Sequence, residues 1–173
     1  QINFWSVATG ELIGSPLTGH TAGVVTIAFS PDGQTLASAG HDDNIRLWNV
    51  KNRALIATLE GHTDSVLSLA FSPDGRFLAS GSRDKTIRLW ALSSRSSETL
   101  LGHTNWITDL TFTTDGEELV SSGRDGKIIW WDVQSRSVLG KPYEQDDYWF
   151  TSLVFDPTTQ LIITGNRMGD III

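Results

Sequence analysis

The chain has 173 residues, a formal net charge of −7, 39% hydrophobic residues and no cysteine. This length is enough for one domain with its own core, and the acidic balance argues against a nucleic-acid partner because phosphate binding requires a basic surface. No apolar run approaches the roughly 20 residues that cross a bilayer, and QINFWSV lacks the pattern of a signal peptide, so we expect a cytoplasmic protein with no membrane partner.

One segment recurs along the chain. GHTAGVVTIAFSPDGQTLASAGHDDNIRLW at residues 19–48 returns as GHTDSVLSLAFSPDGRFLASGSRDKTIRLW at 61–90 and as GHTNWITDLTFTTDGEELVSSGRDGKIIWW at 102–131. A degenerate copy begins at Gln145, and the phenylalanines that close the first apolar run of each copy are 42, 41 and 43 residues apart. Such a period is typical of repeat architectures in which each unit packs on its neighbours.

We therefore predict a single repeat domain. Its predicted divisions are a partial unit (1–18), three whole repeats (19–60, 61–101 and 102–144) and a truncated, degenerate repeat (145–173).

Each unit reads as four short strands. VVTIAF and TLASAG flank SPDG, in which proline presets φ and glycine tolerates a positive φ, and a polar turn then leads to NIRLWNV and ALIATLEGH. The leading QINFW aligns with the third strand of a unit. Because both faces of such a four-stranded antiparallel sheet are apolar, it must be covered on both sides by similar sheets. The predicted fold class is all-β.

A histidine, a serine, an aspartate and a tryptophan occupy the same places in three copies. His, Ser and Asp are also the side chains of a hydrolase triad, but three identical active sites in succession are a poor hypothesis and a repeated scaffold element is a good one. The three sets are His20, Ser38, Asp42 and Trp48, then His62, Ser80, Asp84 and Trp90, then His103, Ser121, Asp125 and Trp131.

The order Gly-His, Ser-Pro-Asp-Gly, turn aspartate and Ile-Arg-Leu-Trp resembles the WD40 repeat of β-propellers over essentially the whole chain. The resemblance implies that the four residues of each set form a buried hydrogen-bonded quartet. The naming dipeptide survives only as Trp131-Asp132. In the last copy Gln145 and Asp146 replace Gly-His and Met168 replaces the turn aspartate, so that only Thr164 remains of the four quartet positions. We therefore expect that unit to be the least stable.

The chain begins and ends within the same type of strand, the third of a unit. We therefore rank three alternatives. The first is that the chain is a fragment of a longer array, the second is a ring of two copies, and the third is a self-closed four-bladed disc. In each case the apolar faces of the end units must be covered.

The resemblance also implies a rim on which partners gather. By position, the candidate rim residues are Gly23, Val25, His41, Ser65, Leu67, Arg83, Trp106, Thr108, Arg124, Trp149, Thr151 and Arg167. Trp and Arg are enriched in binding hot spots, which favours a peptide or loop carrying carboxylates or an aromatic residue. Alternatively, Trp106 and Trp149 pack beneath neighbouring loops and the arginines pair with local carboxylates. Trp130 is interpreted as packing between units.

Three classes of function follow. The first is a non-catalytic interaction scaffold or sensor that binds a protein or peptide, and the second is a structural spacer in a multidomain signalling protein. A propeller enzyme is the third; the sequence contains no metal-ligand spacing, Gly-x-Ser-x-Gly elbow or phosphate loop, so we expect no catalytic residues, metal or cofactor.

Overall fold

A computed structural model describes residues 1–146 and 148–172. The chain forms four antiparallel sheets, here called blades 1 to 4, which confirms the predicted all-β class. Within the described residues no helix is long and apolar enough to span a membrane.

Blades 1 and 2 contain four strands each. These are β1 (Val24–Phe29), β2 (Thr35–Gly40), β3 (Ile45–Asn49), β4 (Leu55–Leu59), β5 (Val66–Phe71), β6 (Phe77–Ser82), β7 (Ile87–Ala91) and β8 (Ser96–Leu100). Blade 3 contains β9 (Ile107–Phe112), β10 (Glu118–Gly123), β11 (Lys127–Asp132), β12 (Ser137–Val138) and β13 (Tyr143–Glu144). Blade 4 contains β14 (Phe150–Asp156), β15 (Leu161–Asn166) and β16 (Ile171–Ile172).

The turn between the first two strands of blades 1 to 3 has the chemistry that the sequence predicts. In blade 2, Asp74 accepts hydrogen bonds from the Ser72 hydroxyl at 2.6 Å and from the Arg76 backbone N–H at 3.0 Å. These two donors lower the pKa of Asp74 to about 2. Gly75 follows with φ of 71°, a left-handed conformation that glycine adopts without steric cost.

Each blade packs its apolar faces against its neighbours. Trp90 of blade 2 belongs to the same buried cluster as Ile45, Leu47 and Leu59 of blade 1, and Trp131 of blade 3 belongs to the same buried cluster as the equivalent residues of blade 2. Fully burying one such aliphatic side chain contributes about 1.5–3 kcal/mol, so stacking supplies the main stabilisation.

Residues 1–18 form a short hairpin held by the bridges Ile2↔Leu17 and Trp5↔Leu12. Ile2 and Leu17 are buried against Trp48 of blade 1. The hairpin therefore packs on the face of blade 1 that carries Leu36 and Trp48.

The fourth strand of blade 3 is interrupted. Both β12 and β13 pair with β11, and the segment between them contains Gly140, with φ of 65°, and Pro142, which has no N–H to donate. The Leu139 N–H still donates to the Trp130 carbonyl at 2.8 Å, so the interruption of the fourth strand lies between Leu139 and Tyr143.

The innermost strands contact one another in the order β1, β5, β9 and β14. On β1, Val25, Ile27 and Phe29 are 45%, 52% and 54% exposed, whereas Leu69 and Leu110, the counterparts of Ile27 in blades 2 and 3, are 8% and 4% exposed. The four blades thus form an open arc, and blade 1 at one end of the arc has an exposed apolar face. This arrangement differs from the self-closed disc that ranked third among our expectations.

Candidate functional site

The quartet of blade 2 is a continuous hydrogen-bonded chain. Nε1–H of Trp90 donates to Ser80 Oγ at 2.9 Å, Ser80 Oγ lies 2.8 Å from His62 Nε2, and His62 Nδ1 lies 2.7 Å from Asp84 Oδ2. Because an ionised carboxylate only accepts, Nδ1 of a neutral His62 carries the ring proton and Nε2 accepts from the serine. Every member then has a partner.

The other two quartets repeat this geometry. The serine-to-histidine distance is 2.8 Å in blades 1 and 3, the tryptophan-to-serine distance is 2.8 Å in both, and the histidine-to-aspartate distances are 2.9 and 3.0 Å. In each blade the aspartate also accepts from the backbone N–H that follows the histidine, at Thr21, Thr63 and Thr104. Each quartet thereby ties the loop before the first strand to the second and third strands.

The quartet aspartates are held in their ionised form. Burial alone would raise the pKa of Asp84, but hydrogen bonds from His62 and Thr86 hold the pKa of this carboxyl well below its usual range. Burial opposes the ionised form at Asp42 and Asp125 as well, and donation from the quartet histidine again lowers the pKa of each.

The quartets are enclosed rather than open. Ser80 is 0% exposed, as are Ser38 and Ser121, so their hydroxyls face only their hydrogen-bond partners and not a substrate. Over the described part of the chain, no group of three or more His, Cys, Asp or Glu side chains is placed to hold a metal ion. The quartets therefore hold the strands of each blade together, and their serine hydroxyls are not accessible as nucleophiles.

Blade 4 replaces the quartet with a different turn. Met168 is exposed, while Asn166 Oδ1 accepts from the backbone N–H groups of Met168 and Asp170 at 2.9 Å each. Thr164, at the serine position, is 2% exposed, and its hydroxyl has no hydrogen-bond partner among the described residues. Sequence reasoning missed this turn, although an asparagine two residues before a glycine-containing turn is a recognisable signal.

The predicted rim residues lie together, joined by one backbone hydrogen bond per blade. The N–H of the loop residue after the second strand donates to the carbonyl of the residue before the first strand. These bonds are His41 to Gly23 at 2.9 Å, Arg83 to Ser65 at 2.9 Å, Arg124 to Trp106 at 2.8 Å and Arg167 to Trp149 at 3.0 Å. In each blade this bond holds the two rim loops at a fixed distance from each other.

Along this row arginine and tryptophan alternate from blade to blade. The Arg83 and Arg124 guanidinium carbons each lie 4.2 Å from the Trp106 ring centroid. Arg124 also lies 5.3 Å from the Trp149 centroid, and Arg167 lies 4.8 Å from it. We call these five residues the Arg–Trp ladder; all four distances are within the roughly 6 Å range of cation–π attraction.

Blade 1 begins the row with different chemistry. His41 Nδ1 lies 3.0 Å from Ser65 Oγ, so this pair occupies the places that Arg83 and Trp106 occupy one blade later. Ser65 is 5% exposed and supports His41, which is exposed, rather than facing a partner itself.

The remaining rim positions are bulges in the innermost strands. The register shifts by one residue at Val25, Leu67, Thr108 and Thr151. The Thr108 hydroxyl donates to the carbonyls of Ser122 at 3.1 Å and Phe150 at 2.8 Å, and the Thr151 hydroxyl donates to that of Gly165 at 3.1 Å. The bulges thus shape the end of each strand next to the rim.

The alternative expectation, that the rim arginines pair with local carboxylates, finds no support in the described ion pairs. None of these involves Arg83, Arg124 or Arg167. Trp106 is half-buried between guanidinium groups, and Trp149 is 38% exposed.

One polar clasp on the innermost strands was not predicted. Asp109 Oδ1 accepts from the Ser68 hydroxyl of blade 2 at 2.8 Å, and Asp109 Oδ2 accepts from the Leu153 N–H of blade 4 at 2.8 Å. A single carboxylate in blade 3 therefore joins three blades. The only sequence signal is an aspartate where the other copies have serine or threonine.

Similarity to known proteins agrees with this geometry. Residues 10–49, 53–91 and 94–132, more than half of the chain, match the sequence profile of the family described as WD domain, G-beta repeat. A segment of 53 residues is 42% identical to the periodic tryptophan protein 2 homolog of Neurospora crassa and covers 31% of this chain and 6% of that protein. A segment of 50 residues is 44% identical to cell division cycle 20.4, cofactor of APC complex, of Arabidopsis thaliana, and covers 29% of this chain and 11% of that protein.

The solved structure of U3-55K superposes with a TM-score of 0.82 at 26% identity, over 90% of this chain and 49% of that one. The chain thus spans about half the length of this solved relative and a small part of the curated ones. Three profile matches on a fold of stacked antiparallel blades show that the chain belongs to the WD40-repeat family.

Proposed function

We propose that the chain is a non-catalytic protein-interaction platform that binds an acidic peptide or protein segment along the Arg–Trp ladder. The observation that carries this proposal is the alternation of three guanidinium groups with two indole rings on one edge of an acidic protein.

The chemistry of the ladder suits carboxylates. A guanidinium group whose face contacts an aromatic ring keeps its in-plane N–H donors, and these match a carboxylate in bidentate fashion. Because the ring restrains the guanidinium before a partner arrives, less side-chain entropy is lost on binding. Trp149, which is 38% exposed, adds apolar contact area at the end of the ladder.

The net charge of −7 repels an acidic partner at long range, so binding depends on close contacts at the ladder. The relatives support this class of function only in general terms, since one of them is named as a cofactor of a complex. A structural spacer is the competing proposal, and it predicts that removing ladder residues leaves binding to every peptide unchanged.

The test is a calorimetric titration with matched synthetic peptides, one rich in glutamate and the other with glutamine in its place. We expect the glutamate peptide to bind and the glutamine peptide to bind at least tenfold more weakly. Arg124 contacts both rings, so Arg124→Ala should weaken glutamate-peptide binding by about tenfold or more, and Trp106→Ala and Trp149→Ala should do the same.

Trp5 provides the matched control because it is 60% exposed and lies in the N-terminal hairpin, away from the rim. Trp5→Ala should leave the affinity unchanged. Equal affinity of the wild type and the Trp106, Trp149 and Arg124 variants for the glutamate peptide would refute the ladder as a binding site.

A further inference from the structure

The spacing of the three guanidinium groups in the Arg–Trp ladder follows from their contacts with the two indole rings. Arg83 and Arg124 each lie 4.2 Å from the Trp106 centroid, so their guanidinium carbons are at most about 8.4 Å apart, which is twice that distance. Arg124 and Arg167 lie 5.3 and 4.8 Å from the Trp149 centroid, so their guanidinium carbons are at most about 10.1 Å apart, which is the sum of the two distances.

The first of these intervals also has a lower limit. Two guanidinium groups whose carbons both lie 4.2 Å from one centroid would overlap and repel each other on a single face of the ring, so Arg83 and Arg124 occupy opposite faces of Trp106. Because atoms in contact with a ring lie about 3.5 Å or more from its plane, the two carbons are at least about 7 Å apart. The ladder therefore begins with two cations separated by about 7–8.4 Å.

An extended peptide presents its side chains at a similar interval. Residues of a strand rise about 3.2–3.4 Å each, so residues i and i+2 lie about 6.4–6.8 Å apart and point to the same side. Residues i and i+1 point to opposite sides, so two adjacent carboxylates do not both face the ladder. A helix brings residues i and i+4 only about 6 Å apart along its axis, which is a poorer match.

The charge of the rim changes sign beyond Arg83. Burial raises the pKa of Asp43, in the loop after β2, and the nearby carboxylate of Asp64 raises it further. Among the described residues, by contrast, none of the ion pairs uses a ladder arginine. A carboxylate that extends past Arg83 toward blade 1 is therefore repelled, which limits an acidic motif on that side to the ladder positions.

We propose that the ladder selects an extended peptide segment that carries carboxylates at three alternate positions, Glu-x-Glu-x-Glu, one for each guanidinium group. This inference rests on the proposed function, because it takes an acidic peptide as the partner of the ladder. It adds the conformation of that partner and the spacing of its charges. Trp106 and Trp149 set the intervals by holding the guanidinium groups apart.

Three isomeric peptides of equal composition and charge test this spacing by isothermal titration calorimetry. Their three glutamates stand at alternate positions (i, i+2, i+4), at adjacent positions (i, i+1, i+2) or at helical spacing (i, i+4, i+8), in one background of serine and threonine. We expect the alternate peptide to bind about tenfold more tightly than either isomer, because it alone engages all three guanidinium groups.

Equal affinity of the three isomers, or tightest binding of the adjacent or helical isomer, would overturn the proposed spacing and leave the proposed function standing. Failure of all three peptides to bind would refute the proposed function and this inference with it.

The position of the central carboxylate is tested with Arg124→Gln. This change should weaken the alternate peptide about tenfold, but a peptide with glutamine in place of the central glutamate should bind the variant within about twofold of the wild type. Arg95→Gln is the matched control, because it changes the net charge equally at an exposed residue between β7 and β8, and it should alter neither affinity. An equal loss for both peptides on Arg124→Gln would contradict the pairing. A thermal melt of each variant verifies that it is folded.

Discussion

Replacing Ser80 by alanine removes the central atom of the blade 2 quartet. The Trp90 N–H and the His62 Nε2 then lose their partner in a site from which solvent is excluded, since Ser80 is 0% exposed and Trp90 is 2% exposed. Each unpaired buried polar group costs about 1–3 kcal/mol, so Ser80→Ala should lower the free energy of unfolding by about 2–6 kcal/mol. The change in volume is small, so little of this cost comes from a cavity.

Equilibrium urea unfolding, followed by circular dichroism, measures this free energy. Ser93→Ala is the control because Ser93 is exposed, and it should stay within about 0.5 kcal/mol of the wild type. The double variant Ser80→Ala/Trp90→Phe should be less destabilised than the sum of the two single variants, because the phenylalanine brings no unpaired donor. A loss below about 0.5 kcal/mol for Ser80→Ala would contradict the structural role of the quartet.

Three further outcomes are expected. The pKa of the aspartate in each quartet is lowered in the folded state, so the stability that this ionisation contributes is present above about pH 4 and lost as the pH falls through the lowered values; acid titration of the unfolding free energy should show this loss. Backbone amides of β14–β16 should exchange with deuterium faster than those of β5–β7, because blade 4 lacks a quartet and contains an unpaired hydroxyl. Asp109→Ala should lower the free energy of unfolding, measured with urea, by about 1–3 kcal/mol for each of the two donors that lose their acceptor, the Leu153 N–H and the Ser68 hydroxyl.

Much of the fold follows from the sequence because the same local signals occur in every copy. The alternation in VVTIAF, the SPDG turn and the position of Trp48 predict the strands of blade 1, and the repeat period extends them to the other blades. The rim positions follow from the same alignment. The repeat period predicts these features because each of them depends on residues within one unit.

Features that join different units were not predictable in this way. The cation–π contacts between Arg83 and Trp106, and between Arg124 and Trp149, depend on how far one blade is rotated from the next. The Asp109 clasp joins Asp109 to a backbone group 44 residues away, and no local pattern encodes such a contact. The bulge in the fourth strand of blade 3 did leave a signal in Gly140-Lys141-Pro142, a sequence poor in strand formers.

Our central claim is that the quartet tryptophans are enclosed donors that bind the strands of each blade together. The most direct measurement is deuterium exchange of the tryptophan indole protons by NMR. We predict slow exchange at Trp48, Trp90 and Trp131, with an opening free energy near that of global unfolding, and fast exchange at the exposed Trp5 and Trp149. Exchange at Trp48, Trp90 and Trp131 as fast as at Trp5 would contradict the claim.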